Sequence, residues 1–421
     1  MKVIRDLIAQ NRSGVPVGMP SFCTANEQVL EAVLQYGATS TAPILVEATC
    51  NQVNQEGGYT GLTPQRYMDW IRSLAADRGL PLSRLILGGD HLGPNPWRHL
   101  SAETAMVEAR ELVRQFAAAG YTKIHLDASM ALGGEAHPSF ETVAARAADL
   151  CEVAERHAPE PDALVYVVGT EVPIPGGETE ELNTLDVTSV DRLQKTLSTH
   201  KEAFEQRGLS DAWDRVVSVV TQPGVDFGHT TLYPFDAQRV KPLKDAILHQ
   251  EGLTFEAHST DYQTSDALRQ LVSNHFFFLK VGPELTFRFR EAIMALAEVE
   301  RRMGVASPSG VIEALQSSMN SYPQYWRDYY RTEGKELELL QLFSYSDRIR
   351  YYWNFAEVQS ALGRLVSNIE GIKVPDGLLL QHFGAAEFGA MSRDPRALIE
   401  ARIGLTVQRY MAACGLVETE H

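Results

Sequence analysis

The feature that most constrains this chain is a regular alternation of short apolar, β-branched runs with longer segments of helical periodicity. Eight such runs occur, at 17–25, 42–49, 85–91, 123–129, 164–172, 215–224, 254–260 and 275–282. Helical segments lie between them, for example 64–77 and 101–119. Strands that are apolar on both faces and alternate with amphipathic helices are typical of parallel sheets. The sequence therefore predicts an α/β fold, a closed (β/α)8 TIM barrel.

An open, doubly wound sheet is built from similar units, but such sheets commonly carry a glycine-rich phosphate-binding motif after their first strand. No G-x-G-x-x-G follows the first run, and no G-x-x-x-x-G-K-[ST] occurs. The barrel is the favoured interpretation. After Arg302 the pattern becomes helical, which predicts a barrel at 1–303 and a helical extension at 304–421 packed on it. The aromatic clusters at 322–330 and 344–353 suit an active-site cap, a subunit interface or simple packing.

Charge and cysteine content exclude several classes of function. With 38 basic and 54 acidic residues the net charge is −16, which disfavours nucleic acid and membranes as partners. The 4 cysteines are far apart and form no C-x-x-C pair, as expected in a reducing cytosol. No signal-peptide pattern and no run of about 18 apolar residues occurs. We therefore expect a cytoplasmic protein that is not exported.

Polar residues stand where the apolar runs end, and in a barrel these ends meet at one mouth. They are Cys23, Thr24, Glu47, Asp90, His91, Asp127, Glu171, Gln222, His229, His258, Asp261 and Lys280. A single polar strand end is commonly a loop cap, but a complete ring of them predicts a polar site.

Three histidines of this ring, His91, His229 and His258, would supply three imidazole nitrogens to Zn²⁺ or another divalent metal. Their spacing is not a local motif, and structural, hydrogen-bonded histidines are the alternative. Asp90 would act as a proton donor or acceptor beside the metal. The amide- and glycine-rich segment 51–61, with Asn51 and Gln52, suits sugar hydroxyls. The segment 169–178 suggests a shaped loop over the mouth, and an ordinary βα loop is the alternative for both segments.

Long motifs at these loops resemble the GatZ/KbaZ family across essentially the whole chain. They are EATCNQVNQEGGYTGLTP from Glu47, LILGGDHLGPNPW from Leu85, KIHLDASM from Lys123, VGTEVPIPGGE from Val168, QPGVDFGH from Gln222, FEAHSTDYQT from Phe255, LKVGPELTF from Leu279 and YSDRIRYYW from Tyr345. The resemblance implies an accessory subunit of class II D-tagatose-1,6-bisphosphate aldolase, in galactitol or amino-sugar catabolism through tagatose 6-phosphate. It also implies a separate catalytic aldolase subunit as partner.

That family is similar to the catalytic class II aldolases, in which three histidines hold zinc and an aspartate precedes the first. By this resemblance Asp90 and His91 match the Asp-His pair, and His258 and His229 match the other two ligands. Glu171 or Asp127 would support the metal or a substrate hydroxyl. The expected substrate contacts, for a sugar or sugar phosphate, are Glu47, Asn51, Gln52, Ser259, Asp261 and Lys280.

The sequence departs from the aldolases where they cradle phosphate with a glycine-rich loop. Here His258 is followed by Ser-Thr-Asp-Tyr-Gln, and Pro283 removes a possible N–H donor. An accessory subunit is therefore the leading hypothesis. A metal-dependent aldolase or C4-epimerase acting itself on a ketose or ketose phosphate is the alternative. A tagatose-6-phosphate kinase is disfavoured because no ATP-binding motif occurs. Self-association into a homo-oligomer stays open.

Overall fold

In the computed structural model, which describes residues 2–172, 185–384 and 393–417, parallel strands close into a barrel. Its strands are β1 (Met19–Cys23), β2 (Ile44–Thr49), β3 (Leu85–Leu92), β4 (Lys123–Leu126), β5 (Val165–Val168), β6 (Val216–Val220), β9 (Thr254–Ala257) and β10 (Phe276–Val281). β10 pairs with β1 and closes the ring. Seven of the predicted apolar runs contain one of these strands and the eighth, 85–91, ends one residue before β3 does, so the (β/α)8 barrel is confirmed. A short antiparallel hairpin, β7 (Asp226–Phe227) and β8 (Leu232–Tyr233), lies outside the ring.

Helices surround the barrel and continue beyond it. They are α1 (Lys2–Arg12), α2 (Glu27–Thr39), α3 (Pro64–Asp77), α4 (Ala102–Ala119), α5 (Phe140–His157), α6 (Val190–Gln206), α7 (Ser210–Trp213), α8 (Lys241–Leu248), α9 (Ser265–Ser273), α10 (Pro283–Met303), α11 (Val311–Ser321), α12 (Gly334–Phe343), α13 (Ala356–Glu370), α14 (Asp376–His382) and α15 (Pro395–Ala413). α4 shows why the boundaries follow the sequence. The Ser101 hydroxyl accepts from the amide of Thr104, and Gly120 ends the helix in the left-handed region. None of the described helices is long and apolar enough to cross a membrane.

The barrel interior has an apolar floor below a charged layer. Because side chains alternate along a strand, Leu45 points inward while Ile44 and Val46 face the helices. The floor contains Met19, Leu45, Ile86, Val165, Val167, Val217 and Phe278, and Ile4 and Ile8 of α1 pack against it. The N-terminal helix therefore plugs the lower end, which leaves the other end for polar chemistry.

The helices after Met303 pack back onto the barrel. α15 packs against α2, α9 and α10, and the Tyr410 hydroxyl donates to the carbonyl of Thr260 at 2.7 Å. A buried ion pair, Arg290 Nε to Asp347 Oδ1 at 2.8 Å, attaches the extension to α10. The chain thus returns its last helix to the first part of the barrel. The division into domains at residues 303 and 304 stays a prediction.

Candidate metal centre at the barrel mouth

Three imidazoles from separate strands meet at the carboxyl end of the barrel. They belong to His91 in β3, His125 in β4 and His258 just after β9. Their ring centroids form a nearly equilateral triangle with sides of 5.0, 4.8 and 5.3 Å. The carboxylate of Asp90 completes the group, and one donor atom from each of the four residues lies within 4.8 Å of all the others.

Strand alternation and one unusual backbone conformation produce this convergence. Lys123, His125 and Asp127 occupy every second position from the start of β4, so all three point to the same side. Asp90 and His91 are adjacent and would ordinarily point to opposite faces. His91, however, has φ of 49°, in the left-handed region that residues other than glycine rarely adopt. This twist lets both side chains face the mouth.

Each imidazole is oriented by a carboxylate on one of its two nitrogens. His91 Nδ1 lies 2.8 Å from Asp127 Oδ2, and His125 Nδ1 lies 2.8 Å from Asp90 Oδ1. His258 Nε2 lies 2.9 Å from Glu256 Oε1. An ionised carboxylate only accepts hydrogen bonds, so at His91 and His258 the nitrogen beside it carries the proton and the other nitrogen keeps its lone pair. At His125 the Nδ1 atom is shared between the Asp90 carboxylate and the backbone amide of His91, which lies 3.2 Å away. Carboxylate–histidine pairs of this kind orient metal ligands in proteins.

The remaining nitrogens fit a metal ion. His125 Nε2 is buried and has no hydrogen-bond partner within the described parts of the chain, which is costly unless it binds something else. When three imidazoles bind one tetrahedral metal at about 2.0–2.1 Å, their ring centroids lie about 5 Å apart. The observed triangle has this size. His91, His125 and His258 would therefore hold a divalent metal, with Asp90 beside it.

The charges around the three imidazoles also favour a cation. Lys123 forms ion pairs with Glu47 and Glu256, each at 2.6 Å, and all three side chains are fully buried. Lys280 pairs with Glu47 and lies 2.5 Å from Asp90. With Asp127, these groups comprise four carboxylates and two ammonium ions. Two negative charges are in excess while the imidazoles are neutral, and a divalent metal would balance them.

The protonation states suit metal binding. Burial opposes ionisation of Asp90, but His91 and Lys280 overcome it and hold the pKa of this carboxyl well below its usual range. Burial lowers the pKa of His258 to about 3 despite its bond to Glu256. For His91 burial also favours the neutral ring, yet Asp90 and Asp127 raise its pKa above the usual value. Protons therefore compete with a metal more strongly at His91 than at His258.

The structure brings six of the predicted site residues together at this centre and places His229 elsewhere. The six are Glu47, Asp90, His91, Asp127, His258 and Lys280. His229 follows β7 and is carried by the hairpin to the C-terminal extension. There its Nδ1 lies 3.0 Å from Ser346 Oγ and its Nε2 lies 3.0 Å from the Tyr329 carbonyl. The expected third imidazole is corrected to His125.

Other predicted residues hold loops in place. Glu171 pairs with Arg192 at 2.6 Å, and Gln52 Oε1 accepts from the amide of Thr49 at 2.8 Å. Asn51 Oδ1 accepts from Asn95 at 3.2 Å. Ser259 adopts φ of 53° in the turn after His258. Of the predicted loop 169–178, residues 173–178 lie outside the described part of the chain.

Asp261 caps a helix. Its Oδ1 accepts from the amides of Gly282 and Glu284 at 2.9 and 2.8 Å, at the beginning of α10. Burial, together with the charge of the neighbouring Glu284, outweighs the opposing amide bonds and raises the pKa of this carboxyl to about 7. The carboxylate therefore occupies backbone donors that an anionic ligand would otherwise use.

Lys123, His125 and Glu256 are not among the predicted site residues, because they lie inside strands rather than at the strand ends. A signal for them exists in the sequence. In KIHLDAS the polar residues at 123, 125 and 127 recur with a period of two, and Glu256 stands two positions before His258. Polar residues with this period in an otherwise apolar strand indicate one inward-facing polar row.

Gly88 makes room for this network, which gives a test of its packing. A β-carbon at Gly88 would lie 2.7 Å from Glu47 Oε1 and 2.9 Å from Glu47 Cγ. We expect Gly88→Ala to destabilise the protein by about 1–3 kcal/mol through overpacking. Gly363→Ala is the control, because nothing lies within 4 Å of its β-carbon position in α13. Denaturant unfolding compares the two; equal stability of Gly88→Ala and the unsubstituted protein would show that Glu47 can move away.

Comparisons with known proteins agree with the fold and extend over almost the whole chain. The model of the D-tagatose-1,6-bisphosphate aldolase subunit GatZ/KbaZ-like family matches residues 4–415. Proteins named D-tagatose-1,6-bisphosphate aldolase subunit GatZ, from Escherichia coli strains K12 and SMS-3-5, are each 42% identical over 419 residues, covering 98% of this chain and 100% of the relative.

A solved structure is similar over the same extent. It is the crystal structure of a probable tagatose 6 phosphate kinase from Sinorhizobium meliloti 1021, 40% identical with a TM-score of 0.87. The alignment covers 94% of this chain and 100% of that one. Because the family model and the relatives span both the barrel and the extension, this chain belongs to the GatZ/KbaZ-like family of D-tagatose-1,6-bisphosphate aldolase subunits.

Proposed function

We propose that this chain is the GatZ/KbaZ-type subunit of a tagatose-1,6-bisphosphate aldolase. In this role it supports the activity and stability of a separate catalytic class II aldolase subunit in cytoplasmic galactitol or N-acetylgalactosamine catabolism. The observation that carries the proposal is the 42% identity to GatZ subunits over 98% of the chain. The altered phosphate loop agrees with it, because Asp261 occupies the amides at the beginning of α10.

Mixing experiments test this proposal. We expect the purified chain to raise the turnover of a cognate catalytic subunit on tagatose 1,6-bisphosphate and to slow its thermal inactivation. A chain that changes neither quantity at saturating concentration would refute the role. An unrelated protein of similar charge, added at the same concentration, controls for non-specific protection.

A second function is favoured by the metal centre itself: the chain would catalyse aldol cleavage, or epimerisation at C4, of a ketose or ketose phosphate. A divalent metal held by His91, His125 and His258, zinc or another ion, would polarise a substrate oxygen. Asp90, whose carboxylate lies 2.5 Å from the Lys280 ammonium group, would accept a proton from a substrate hydroxyl. Lys280 keeps this carboxylate in place through its ion pair.

The kinase alternative has weaker support. The similar protein from Sinorhizobium meliloti carries a kinase name, but no G-x-x-x-x-G-K-[ST] motif occurs in this sequence. The residues at the described barrel mouth form a compact network of carboxylates, imidazoles and lysines, which suits a metal and a sugar better than ATP.

A further inference from the structure

An arginine of the C-terminal extension, Arg350, lies at the barrel mouth among tyrosines. Its Nη2 donates to the Tyr351 hydroxyl at 2.9 Å, and its Nη1 donates to the carbonyls of Ser346 and Asp347. The Tyr351 ring meets that of Tyr59 edge-on, with centroids 4.9 Å apart. Tyr59 belongs to the loop after β2, where its amide donates to the Asn51 carbonyl at 3.0 Å. The extension therefore places this arginine against a loop of the mouth.

Positive charge is concentrated at this point. The Arg348 guanidinium lies 3.2 Å from the ring centroid of Tyr329 and 5.1 Å from that of Tyr351. Burial raises the pKa of the Tyr351 phenol, but Arg350 and Arg348 outweigh it and bring that pKa below its usual value. Two arginines thus act on one phenol.

Within the described ranges, no carboxylate forms an ion pair with Arg350. The adjacent Asp347 is already engaged, since its Oδ1 binds Arg290 at 2.8 Å and its Oδ2 accepts from Thr286 at 2.6 Å. The chain has 54 acidic residues, so negative side chains are plentiful elsewhere. A half-buried arginine that faces phenols in such a chain indicates a site for an external anion.

The place where barrels commonly bind phosphate is closed by the chain itself. Phosphate in TIM barrels frequently lies at the loops after the seventh and eighth strands and at a helix N-terminus. Here those strands are β9 and β10, and Asp261 accepts hydrogen bonds from the backbone amides of Gly282 and Glu284 at that position. Pro283, between them, has no N–H. A phosphorylated ligand at this mouth therefore needs another anchor.

We infer that Arg350, with Arg348 and Tyr351, binds the phosphate group of a sugar phosphate whose hydroxyls extend toward the metal centre. The Nε–H and the second Nη2–H of Arg350 are not used in the three bonds described above, and these two groups would donate two parallel hydrogen bonds to phosphate oxygens. The Tyr351 hydroxyl would supply a third donor. The inference rests on the proposed function for the phosphorylated ketose as ligand, and it assigns phosphate recognition to the C-terminal extension.

Calorimetric titration of the full chain with D-tagatose 6-phosphate, D-tagatose and inorganic phosphate tests the inference. Loss of a charge-assisted pair in Arg350→Gln should weaken binding of the sugar phosphate roughly ten- to a hundredfold. Binding of inorganic phosphate should weaken similarly, and binding of D-tagatose should not change. The affinity of Arg350→Lys for the sugar phosphate should lie between those of the unsubstituted protein and Arg350→Gln, since lysine keeps the charge but cannot form a bidentate contact. The control is Arg327→Gln, which makes the same charge change at an exposed position of the extension.

Equal affinity of the unsubstituted protein and Arg350→Gln for the sugar phosphate would overturn the inference, as would an equal loss for D-tagatose. Failure of the unsubstituted protein to bind the sugar phosphate would also overturn it. If Arg350→Gln does not fold, Tyr351→Phe decides, because it keeps the ring and should still lose a few-fold in affinity. No catalytic subunit is present in these titrations. If Arg350→Gln binds the sugar phosphate as tightly as the unsubstituted protein does, this subsite is rejected. If the same variant still activates the catalytic aldolase subunit, the proposed function stands.

Discussion

The His125→Ala variant is expected to lose a bound divalent metal that the His229→Ala variant keeps. His125 Nε2 is buried without a hydrogen-bond partner in the described structure and faces His91 and His258, with ring centroids about 5 Å away. Changes to residues that merely orient metal ligands reduce metal affinity roughly 10–100-fold, so removing a ligand should cost at least that much. Elemental analysis after dialysis is expected to find about one metal per chain in the unsubstituted protein and little in His125→Ala.

His229→Ala is the matched control, because the His229 ring forms hydrogen bonds with Ser346 and the Tyr329 carbonyl and helps to attach the C-terminal extension rather than to hold the metal. Metal retained in His125→Ala, or lost in His229→Ala, would contradict the centre described here. Turnover of a ketose phosphate by the isolated chain separates the two proposed functions. Turnover that disappears in His125→Ala supports catalysis by the chain itself. A metal-loaded chain that shows no turnover would leave the accessory-subunit role as the one remaining proposal of the two.

The Lys123→Met variant is expected to lose about 3–5 kcal/mol of folding free energy, since it breaks two buried ion pairs at once and leaves Lys280 as the one ammonium group near Glu47 and Glu256 among the described residues. Lys123 pairs with Glu47 and Glu256 at 2.6 Å, and all three side chains have no exposed surface. Methionine fills a similar volume, so the loss reports on charge rather than on a cavity. For a chain of 421 residues this corresponds to a fall in Tm of about 3–6 °C.

Lys335→Met provides the control, because Lys335 and Glu338 form an exposed pair whose removal should leave Tm unchanged. Adding Glu256→Gln to Lys123→Met should restore part of the loss, since it removes a buried carboxylate that has lost its nearest ammonium group and keeps only Lys280 at 3.4 Å. Calorimetric melting of the three variants measures this. An unchanged Tm for Lys123→Met would mean that the carboxylates recruit protons or another cation without cost.

The sequence predicted the barrel well because each strand buries both of its faces. An apolar run such as 215–224 needs no knowledge of its neighbours to be recognised as an interior strand, and β6 (Val216–Val220) lies inside it. The same reasoning located Asp90, His91 and His258 at the mouth, because strand ends converge in any parallel barrel.

The third imidazole was missed for a different physical reason. His229 follows the sixth barrel strand in the sequence, which is why it was predicted to lie at the mouth. The β7–β8 hairpin, however, redirects the chain after Gln222 and places His229 against Ser346. His125 lies within β4, and only the inward direction of its side chain brings it to His91. That direction depends on strand register and barrel closure.

The sequence by itself therefore determined the class of fold, the family and the strands whose ends carry polar groups, since these follow from local pattern and motif. Only the tertiary structure decided which groups meet: the three imidazoles, the buried lysine–carboxylate network, Asp261 as a helix cap and Arg350 at the mouth. These contacts join residues that are far apart in the sequence, for example Lys280 and Glu47, which are 233 positions apart. Contacts over such distances arise from closing the barrel and docking the extension, and no local segment encodes them alone.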